Sequence, residues 1–445
     1  MFIPNIYSYY FIRFLSKSYD SKILVGGILM SQKENVKHEQ LNDILKFIYE
    51  ILPESKLPEK VKNKIIKELE NLKAFTLDAR PARIAIVGRR GSGKSSLINA
   101  IFGEMRAEIG DVKARTGMGK WHTYQSDSGN LEILDTRGLG EADKPEEESL
   151  EKSAIEEVQA SIIEQCPDVI LFLCKAKEVS ARIDEDLSQL LELKETIQAE
   201  HDYDVPIIGV VTQVDELSPK SADKPPFDHP VKQKNIADAT EVLSIKLRDK
   251  VSNPVNVIPV CCYVEFEGNE IVYDIRWNVD HLVDYLIEQL PNEAQMVLAK
   301  LAKIKSIQKK LARRIGSGIA GATGLIGASP IPGPDLPIVT GLQMMMVTTI
   351  ARISGNKTDK RTVMKFLSAL GLNVGAGFAF RQLARQLLKV IPGAGSAVSG
   401  FVASAGTYAL CEAAIAYFIE EYSIEKVRET YKNIFKSKKN EAENE

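Results

Sequence analysis

Early in the chain, eight residues have the composition and spacing of a phosphate cradle. Gly88 to Ser95 reads Gly-Arg-Arg-Gly-Ser-Gly-Lys-Ser, with glycines at 88, 91 and 93 and a lysine–serine pair at 94 and 95. Glycines let successive backbone N–H groups curl around an anion without Cβ clashes. A lysine at the end of such a loop reaches the β and γ phosphates of a nucleotide, and the serine hydroxyl after it can ligate Mg²⁺. Gly88, Gly91, Ser92, Gly93, Lys94, Ser95 and Ser96 are therefore candidate phosphate-binding residues, with Lys94 also a candidate for catalysis and Ser95 for the metal. The chemistry requires a strand before the loop and a helix after it. Residues 83–87 (RIAIV) form a short apolar run, and 96–102 (SSLINAIF from Ser95 on) have helical spacing, which supplies both.

A loop of this kind needs partners, and downstream residues fit. A second apolar run, 131–135, ends in Asp135, followed by Thr136, Arg137 and Gly138. An aspartate at a strand end can hold Mg²⁺ through water, and the Gly138 N–H can sense a γ-phosphate. Thr116, in the polar glycine-containing segment 108–120, is the candidate to complete the Mg²⁺ shell once a triphosphate orders that segment. Other threonines lie near it; Thr123 reads as part of a strand.

Further apolar runs at 169–174, 206–211 and 255–261 alternate with helical patterns at 146–165, 182–200, 232–250 and 278–289. Such alternation predicts an α/β domain: a mostly parallel six-stranded sheet with helices on both faces. Beyond the 206–211 strand stands Thr212-Gln213-Val214-Asp215. A carboxylate there can accept hydrogen bonds from guanine N1 and N2, a donor pair that adenine lacks. The alternative for Asp215 is a loop or helix-capping acid.

Together these residues resemble the Era-type branch of P-loop GTPases, the group that includes TrmE, Era, EngA and septins, over about residues 80–291. GRRGSGKSSLINAIF is similar to their first motif, DTRG to their third and TQVD to their fourth. Val260-Cys261-Cys262 sits where the fifth usually reads Ser-Ala, so the resemblance implies guanine O6 near Cys261 and Cys262. It implies GTP and GDP as ligands, Mg²⁺ as cofactor through Ser95, Thr116 and Asp135, and hydrolysis of GTP. Two departures stand out. Gln213 replaces the lysine that packs along base and glycine loop, which lowers the expected guanine affinity and leaves ATP open. Leu139 stands where related switches carry a water-orienting glutamine, so the resemblance implies slow intrinsic hydrolysis with a catalytic group from elsewhere. Gly91 occupies the position of the asparagine that binds potassium in some relatives, so no potassium activation is expected. Arg89, Arg90, Arg115 and Arg137 are alternatives for neutralising developing charge, in cis or across a homodimer; solvated surface arginine is the plainer reading of each.

The rest of the sequence sets the surroundings. A hydrophobic content of 44% with 26% charged residues excludes a disordered chain. Five cysteines without a C-x-x-C pair give neither a disulfide framework nor a zinc site, and point to a reducing, cytoplasmic compartment. Residues 1–30 are either an apolar leader or a mis-assigned start ahead of Met30. Residues 33–79 read as a helical hairpin, with apolar stripes at Leu41, Ile44, Leu45, Ile48, Ile51 and Leu52 and then Val61, Ile65, Leu69 and Leu72.

The region 292–430 differs in character. Residues 301–390 carry fourteen Lys/Arg against two acids, a local charge of +12 in a chain whose net charge is −3. A basic amphipathic helix is expected over 300–314. Uncharged runs rich in Gly, Ala, Ser and Thr follow at 315–334, 336–351, 366–380 and 390–411, and Gly371-x-x-x-Gly375 permits close helix approach. The echo of Ile331-Pro332-Gly333 in Ile391-Pro392-Gly393 points to two related hairpins. Two uncharged runs reach spanning length, but prolines break them. The stretch is either a tightly packed soluble bundle with small residues at its contacts or a module at the cytoplasmic face of an anionic membrane, where each basic residue near lipid contributes about 1 kcal/mol. Residues 305–425, with SPIPGPDLPIVTGLQMMMVTTIARISG, resemble the YcjF-like domain found after Era-type GTPase domains, which implies a helical, membrane-associated module. Residues 431–445 read as a charged tail, disordered from 433.

The expected partners are thus a guanine nucleotide and an anionic membrane surface or membrane protein. The alternatives are an RNA- or ribosome-binding assembly GTPase, less favoured because few aromatics interleave the basic residues and no KH-type glycine loop follows, and a scaffold that holds nucleotide without hydrolysing it.

Overall fold

The computed structural model describes residues 41–103, 121–126, 129–135, 156–181, 183–251, 256–268, 270–328, 336–355, 363, 365–367, 370 and 400–443. They fall into two units, Ala74–Gln308 and a second made of Met1–Lys73 with Lys309–Glu445. The helices are α1 (41–51), α2 (Glu59–Thr76), α3 (Lys94–Phe102), α4 (156–164), α5 (Asp184–His201), α6 (Pro230–Lys250), α7 (Val279–Gln289), α8 (Asn292–Ala302), α9 (Lys305–Gly327), α10 (Leu336–Ile353), α11 (Gly400–Phe418) and α12 (Ile424–Glu443). The strands are β1 (Ala82–Val87), β2 (Trp121–Ser126), β3 (Gly129–Asp135), β4 (Val169–Lys175), β5 (Ile207–Thr212), β6 (Asn256–Pro259), β7 (Val264–Glu267) and β8 (Glu270–Asp274).

The apolar runs become the strands of one six-stranded sheet in the order β2-β3-β1-β4-β5-β6. β1, β4 and β5 are almost wholly buried, as strands covered on both faces must be. All neighbours run parallel except β2, which pairs antiparallel with β3 and includes Thr123 as expected. Phe172, Leu190 and Leu243, from β4, α5 and α6, are fully buried members of one cluster. Asp168 ties down the entrance to β4. It receives a fork from Arg80 at 2.8 and 2.6 Å and the Arg83 amide at 2.9 Å.

The parallel strands point their carboxyl ends to one edge, and β1 lies between β3 and β4, where the winding reverses. An open α/β sheet opens a ligand crevice at that place. The loops that follow β1, β4, β5 and β6 all reach that edge, which is how residues 88–95, 175, 212–215 and 260–262 come together.

Two departures from expectation belong to this unit. β7 and β8 form a separate two-stranded hairpin between β6 and α7. The helix expected over 300–314 is interrupted: α8 ends at Ala302, capped by Lys303 with a left-handed φ of 55°, and α9 starts at Lys305.

In the second unit the expected N-terminal stripes are the buried faces of α1 and α2: Leu41, Leu45, Ile48, Leu52, Ile65, Leu69 and Leu72 are all less than 5% exposed. The hairpin packs on the C-terminal helices, Ile48 against Gly341 and Glu68 against Gly318. Among the described residues one helix, α11, is long and apolar enough to cross a membrane, and 72% of its apolar window is buried inside the bundle. Its polar groups have partners: Glu412 takes Arg313 at 2.7 and 3.0 Å, and Gln343 donates to Thr407 at 2.9 Å, which also lies 2.9 Å from the Thr323 hydroxyl. α12 runs on to Glu443, with Val427, Tyr431 and Phe435 buried at helical spacing, so residues 433–443 are helical where a disordered tail was expected. The Gly371-x-x-x-Gly375 motif and both Ile-Pro-Gly echoes lie outside the described residues.

Candidate functional site

The glycine loop joins β1 to α3 as the motif demands. Gly91 and Gly93 have φ of 72° and 93°, a region where an L side chain is strained. A Cβ on Gly88 would stand 2.6 Å from the Leu173 carbonyl oxygen and 2.8 Å from Ser92 Oγ. Side chains are thus shut out of the loop by crowding at Gly88 and by backbone conformation at Gly91 and Gly93. α3 begins at Lys94 with Gly93 as its N-cap and presents its positive end to the loop.

Lys94 is only 6% exposed, and its ammonium donates to the carbonyls of Gly88 and Arg89, the latter at 3.3 Å. The charge therefore lies inside the ring of the loop, where a phosphate oxygen would meet it. Ser92 Oγ is buried and has no hydrogen-bond partner. These features fit a nucleotide's phosphates: main-chain donors, a cation and an unsatisfied hydroxyl at one place. Ser95 and Ser96 are half-buried on the first turn of α3. Ser95 is the one described side chain of the expected Mg²⁺ set. Thr116 and Gly138 lie outside the described residues, as do Arg115, Arg137, Leu139 and the side chain of Asp135; the backbone of Asp135 pairs with Ile86 at the end of β3.

The fourth motif is fastened to the first. The Thr212 hydroxyl, 2% exposed, lies 2.8 Å from the Ser92 carbonyl and 3.4 Å from that of Cys174. Thr212 is thus a brace between β5 and the loop. Gln213 turns with φ of 56° and donates its amide to the Gly91 carbonyl at 2.8 Å. The position expected to weaken the site for want of a lysine still covers the glycine loop, by a neutral hydrogen bond. Asp215 follows, half-buried, in a short 3₁₀ turn, Val214–Glu216.

In the fifth motif, the backbone of Cys261 forms a two-way bridge with Trp277, its amide donating at 3.1 Å and its carbonyl accepting at 2.9 Å. The Cys261 amide is therefore engaged, which directs the expected O6 contact to Cys262. Burial pushes the Cys262 thiol up to about 12, with the Asp215 charge adding to it, and raises Cys261 further. Both stay protonated at neutral pH and are poor nucleophiles.

Arg89 turns away from the loop to Asp186 at 2.9 Å and Glu185 at 3.9 Å, at the start of α5. It is a structural ion pair here, while Arg90 is exposed. Burial holds the Asp186 carboxyl above its ordinary value despite that pairing.

Two residues of the site escaped sequence reading. Lys175, at the end of β4, sets its ammonium 3.3 Å from where a Gly91 Cβ would be and pairs with Glu178 at 3.0 Å. A lone charge closing a buried apolar strand was the signal available. The other is Lys232, in the first turn of α6. It is fully buried, and its ammonium donates to the carbonyls of Asp215 and Leu217, each at 2.6 Å. Nothing in the sequence separates it from a solvated helix lysine.

A parallel sheet with β2 reversed, a glycine cradle after β1 and a carboxylate turn after β5 define a P-loop nucleotide-binding domain. Comparison with known proteins narrows this. Residues 83–212 match the family described as "50S ribosome-binding GTPase", and residues 4–144 match "RsgA GTPase". The chain is 31% identical over 134 residues to a GTPase Der of Campylobacter hominis, covering 28% of each chain. It is 29% identical over 185 residues to a tRNA modification GTPase MnmE of Desulforamulus reducens, covering 39% of each. Among solved structures it is similar to Era in complex with MgGDPNP and nucleotides 1506–1542 of 16S ribosomal RNA, at 20% identity and a TM-score of 0.33, covering 57% of this chain and 70% of that one. It is also similar to Toc33 from Arabidopsis thaliana, at 16% identity and a TM-score of 0.35, covering 55% and 93%. The chain spans well under half the length of these curated relatives. The chain thus carries a P-loop GTPase domain, similar over that stretch to those of Der, MnmE and Era.

Proposed function

We propose that the protein binds GTP and GDP, hydrolyses GTP slowly with Mg²⁺, and acts as a nucleotide switch. The observation that carries this reading is the coupling of cradle and base-recognition turn: Lys94 inside the loop, with Thr212 and Gln213 bonded to the loop carbonyls of Ser92 and Gly91. Phosphate binding at the amides of residues 88–95 would draw the Lys94 ammonium from Gly88 and Arg89 onto the phosphate oxygens. Ser95, Thr116 and Asp135 are the residues that would hold Mg²⁺, which neutralises charge on the outer phosphates when bound. The Asp215 carboxylate would accept from guanine N1 and N2, and the Cys262 amide would donate to O6. With Leu139 unable to orient water, turnover stays slow until a partner or second copy supplies that group. The segments that sense the γ-phosphate are 108–120 and 138–145.

For the second unit we propose engagement of an anionic membrane surface or membrane protein, as in the YcjF-like module it resembles. Burial of α11 favours peripheral contact over insertion, and Arg313, though half-exposed, has its charge offset by Glu412. A second reading, an RNA- or ribosome-binding GTPase, draws support from the matching 50S ribosome-binding GTPase family and from the similarity to the tRNA modification GTPase MnmE. Co-flotation with anionic liposomes in the GTP or GDP state is the result expected from the membrane reading. Failure to float in either state, with RNA binding that falls steeply with salt, would replace it by the second.

Asp215→Asn tests the base assignment. An amide donates where the carboxylate accepts, which suits the 2-oxo group of xanthine and not the 2-amino group of guanine. The ratio of GDP to xanthosine diphosphate affinity should fall by on the order of 100-fold or more, read by calorimetric titration. An unchanged ratio removes Asp215 from base recognition.

A further inference from the structure

The turn that carries Asp215 is anchored on its far side by a buried charge that no nucleotide-binding motif contains. Lys232 is 0% exposed. Its ammonium reaches two carbonyls of one turn, Asp215 and Leu217, each at 2.6 Å, and lies over the Phe227 ring at 5.2 Å from the centroid. Phe227 is itself fixed edge-on against Trp277, with ring centroids 5.5 Å apart. About one helical turn later on the same face, Asn235 donates to the Ser218 carbonyl at 2.9 Å. The near side of the turn is already held, because Thr212 and Gln213 are bonded to the glycine loop. Asp215 thus sits on a span clamped at both ends, by the phosphate cradle before it and by α6 after it.

A buried ammonium is costly unless its protons find acceptors. Here main-chain carbonyls of the recognition turn provide two of them and an aromatic face borders the third side, so the cation and the turn stabilise each other. We infer that Lys232 is a positioning residue for purine recognition: by holding the Asp215 carbonyl it fixes the carboxylate of the same residue at the guanine edge, and so sets base specificity without touching the nucleotide. This rests on the guanine reading of Asp215 given above. The role differs from plain scaffolding in what it affects. A scaffold residue would weaken every ligand of the cradle alike; a residue that aims Asp215 affects only ligands carrying guanine.

The experiment measures the affinities of GDP, ADP and inorganic pyrophosphate for the full chain and for Lys232→Met, which keeps the volume and removes the donors. Loss of a charged hydrogen-bond donor pair predicts that GDP affinity falls about tenfold or more, while ADP and pyrophosphate stay within about twofold. The GDP to ADP ratio therefore collapses. Asn235→Ala should lower the same ratio by a smaller factor. Should Lys232→Met not give folded protein, Lys232→Gln, which keeps a neutral donor, carries the same test with a smaller expected fall in the ratio. An unchanged ratio, or an equal fall for GDP, ADP and pyrophosphate, overturns the inference. A wild-type chain that binds ADP as well as GDP instead overturns the guanine reading, and the inference with it.

Discussion

Replacing Lys94 with alanine is expected to lower GTP turnover by at least about 100-fold, the scale of removing a preorganised donor from developing transition-state charge. The argument is geometric. Lys94 is the cation enclosed by the loop, with its ammonium on the Gly88 and Arg89 carbonyls. Lys175 is paired with Glu178 and Arg89 with Asp186, so neither replaces it. Phosphate release measured on wild type and variant at saturating GTP checks this. Retention of turnover within a few-fold would mean that the charge acts elsewhere. Total absence of turnover from the wild type, with tight GTP binding, would favour a scaffold that holds nucleotide unhydrolysed.

The second large effect lies in the bundle, where one substitution type should act with opposite signs at two positions. Gly400→Ala places a Cβ 2.4 Å from the Gly324 carbonyl oxygen and 3.1 Å from the Ala328 amide nitrogen, both main-chain atoms that cannot rotate away. α9 and α11 must then move apart, and overpacking of this kind costs about 1–3 kcal/mol. At Gly321, also in α9, an added Cβ meets nothing within 4 Å. Gly321→Ala should therefore stabilise by about 0.5–1 kcal/mol, because alanine loses less backbone entropy in a helix. Denaturant midpoints of the two variants should fall on opposite sides of the wild type. Matching shifts would show that glycine is not what sets the α9–α11 distance.

Why some of this was legible in the sequence and some was not follows from the reach of the interactions. The cradle is a local object: strand, glycines and helix are contiguous from Ala82 to Phe102, so residue type and order suffice. The parallel strands announce themselves because burial on both faces leaves no polar alternation in VILFLCK or IIGVVT. The β7–β8 hairpin carries its own signal, alternation in VEFE and a Gly-Asn turn, but its charges and position between a strand and a helix concealed it. α12 was hidden by composition, since lysine and glutamate outweigh the sparse stripe of Val427, Tyr431 and Phe435. The break at Lys303 has no local cause in residue type, because lysine is an ordinary helix former. Lys232 and Gln213 depend on tertiary placement: one is buried by what folds over it and the other meets a loop 122 residues earlier. Spacing cannot express either fact.

The central claim is that the edge of the sheet beyond β1, β4 and β5 recognises a guanine nucleotide through both its phosphates and its base. Calorimetric titration of the purified chain with GDP and with ADP, in Mg²⁺-containing buffer, tests it most directly. The expected result is one nucleotide per chain, with GDP bound on the order of 100-fold more tightly than ADP. Equal affinities, a preference for ADP, or no heat from either nucleotide would contradict it.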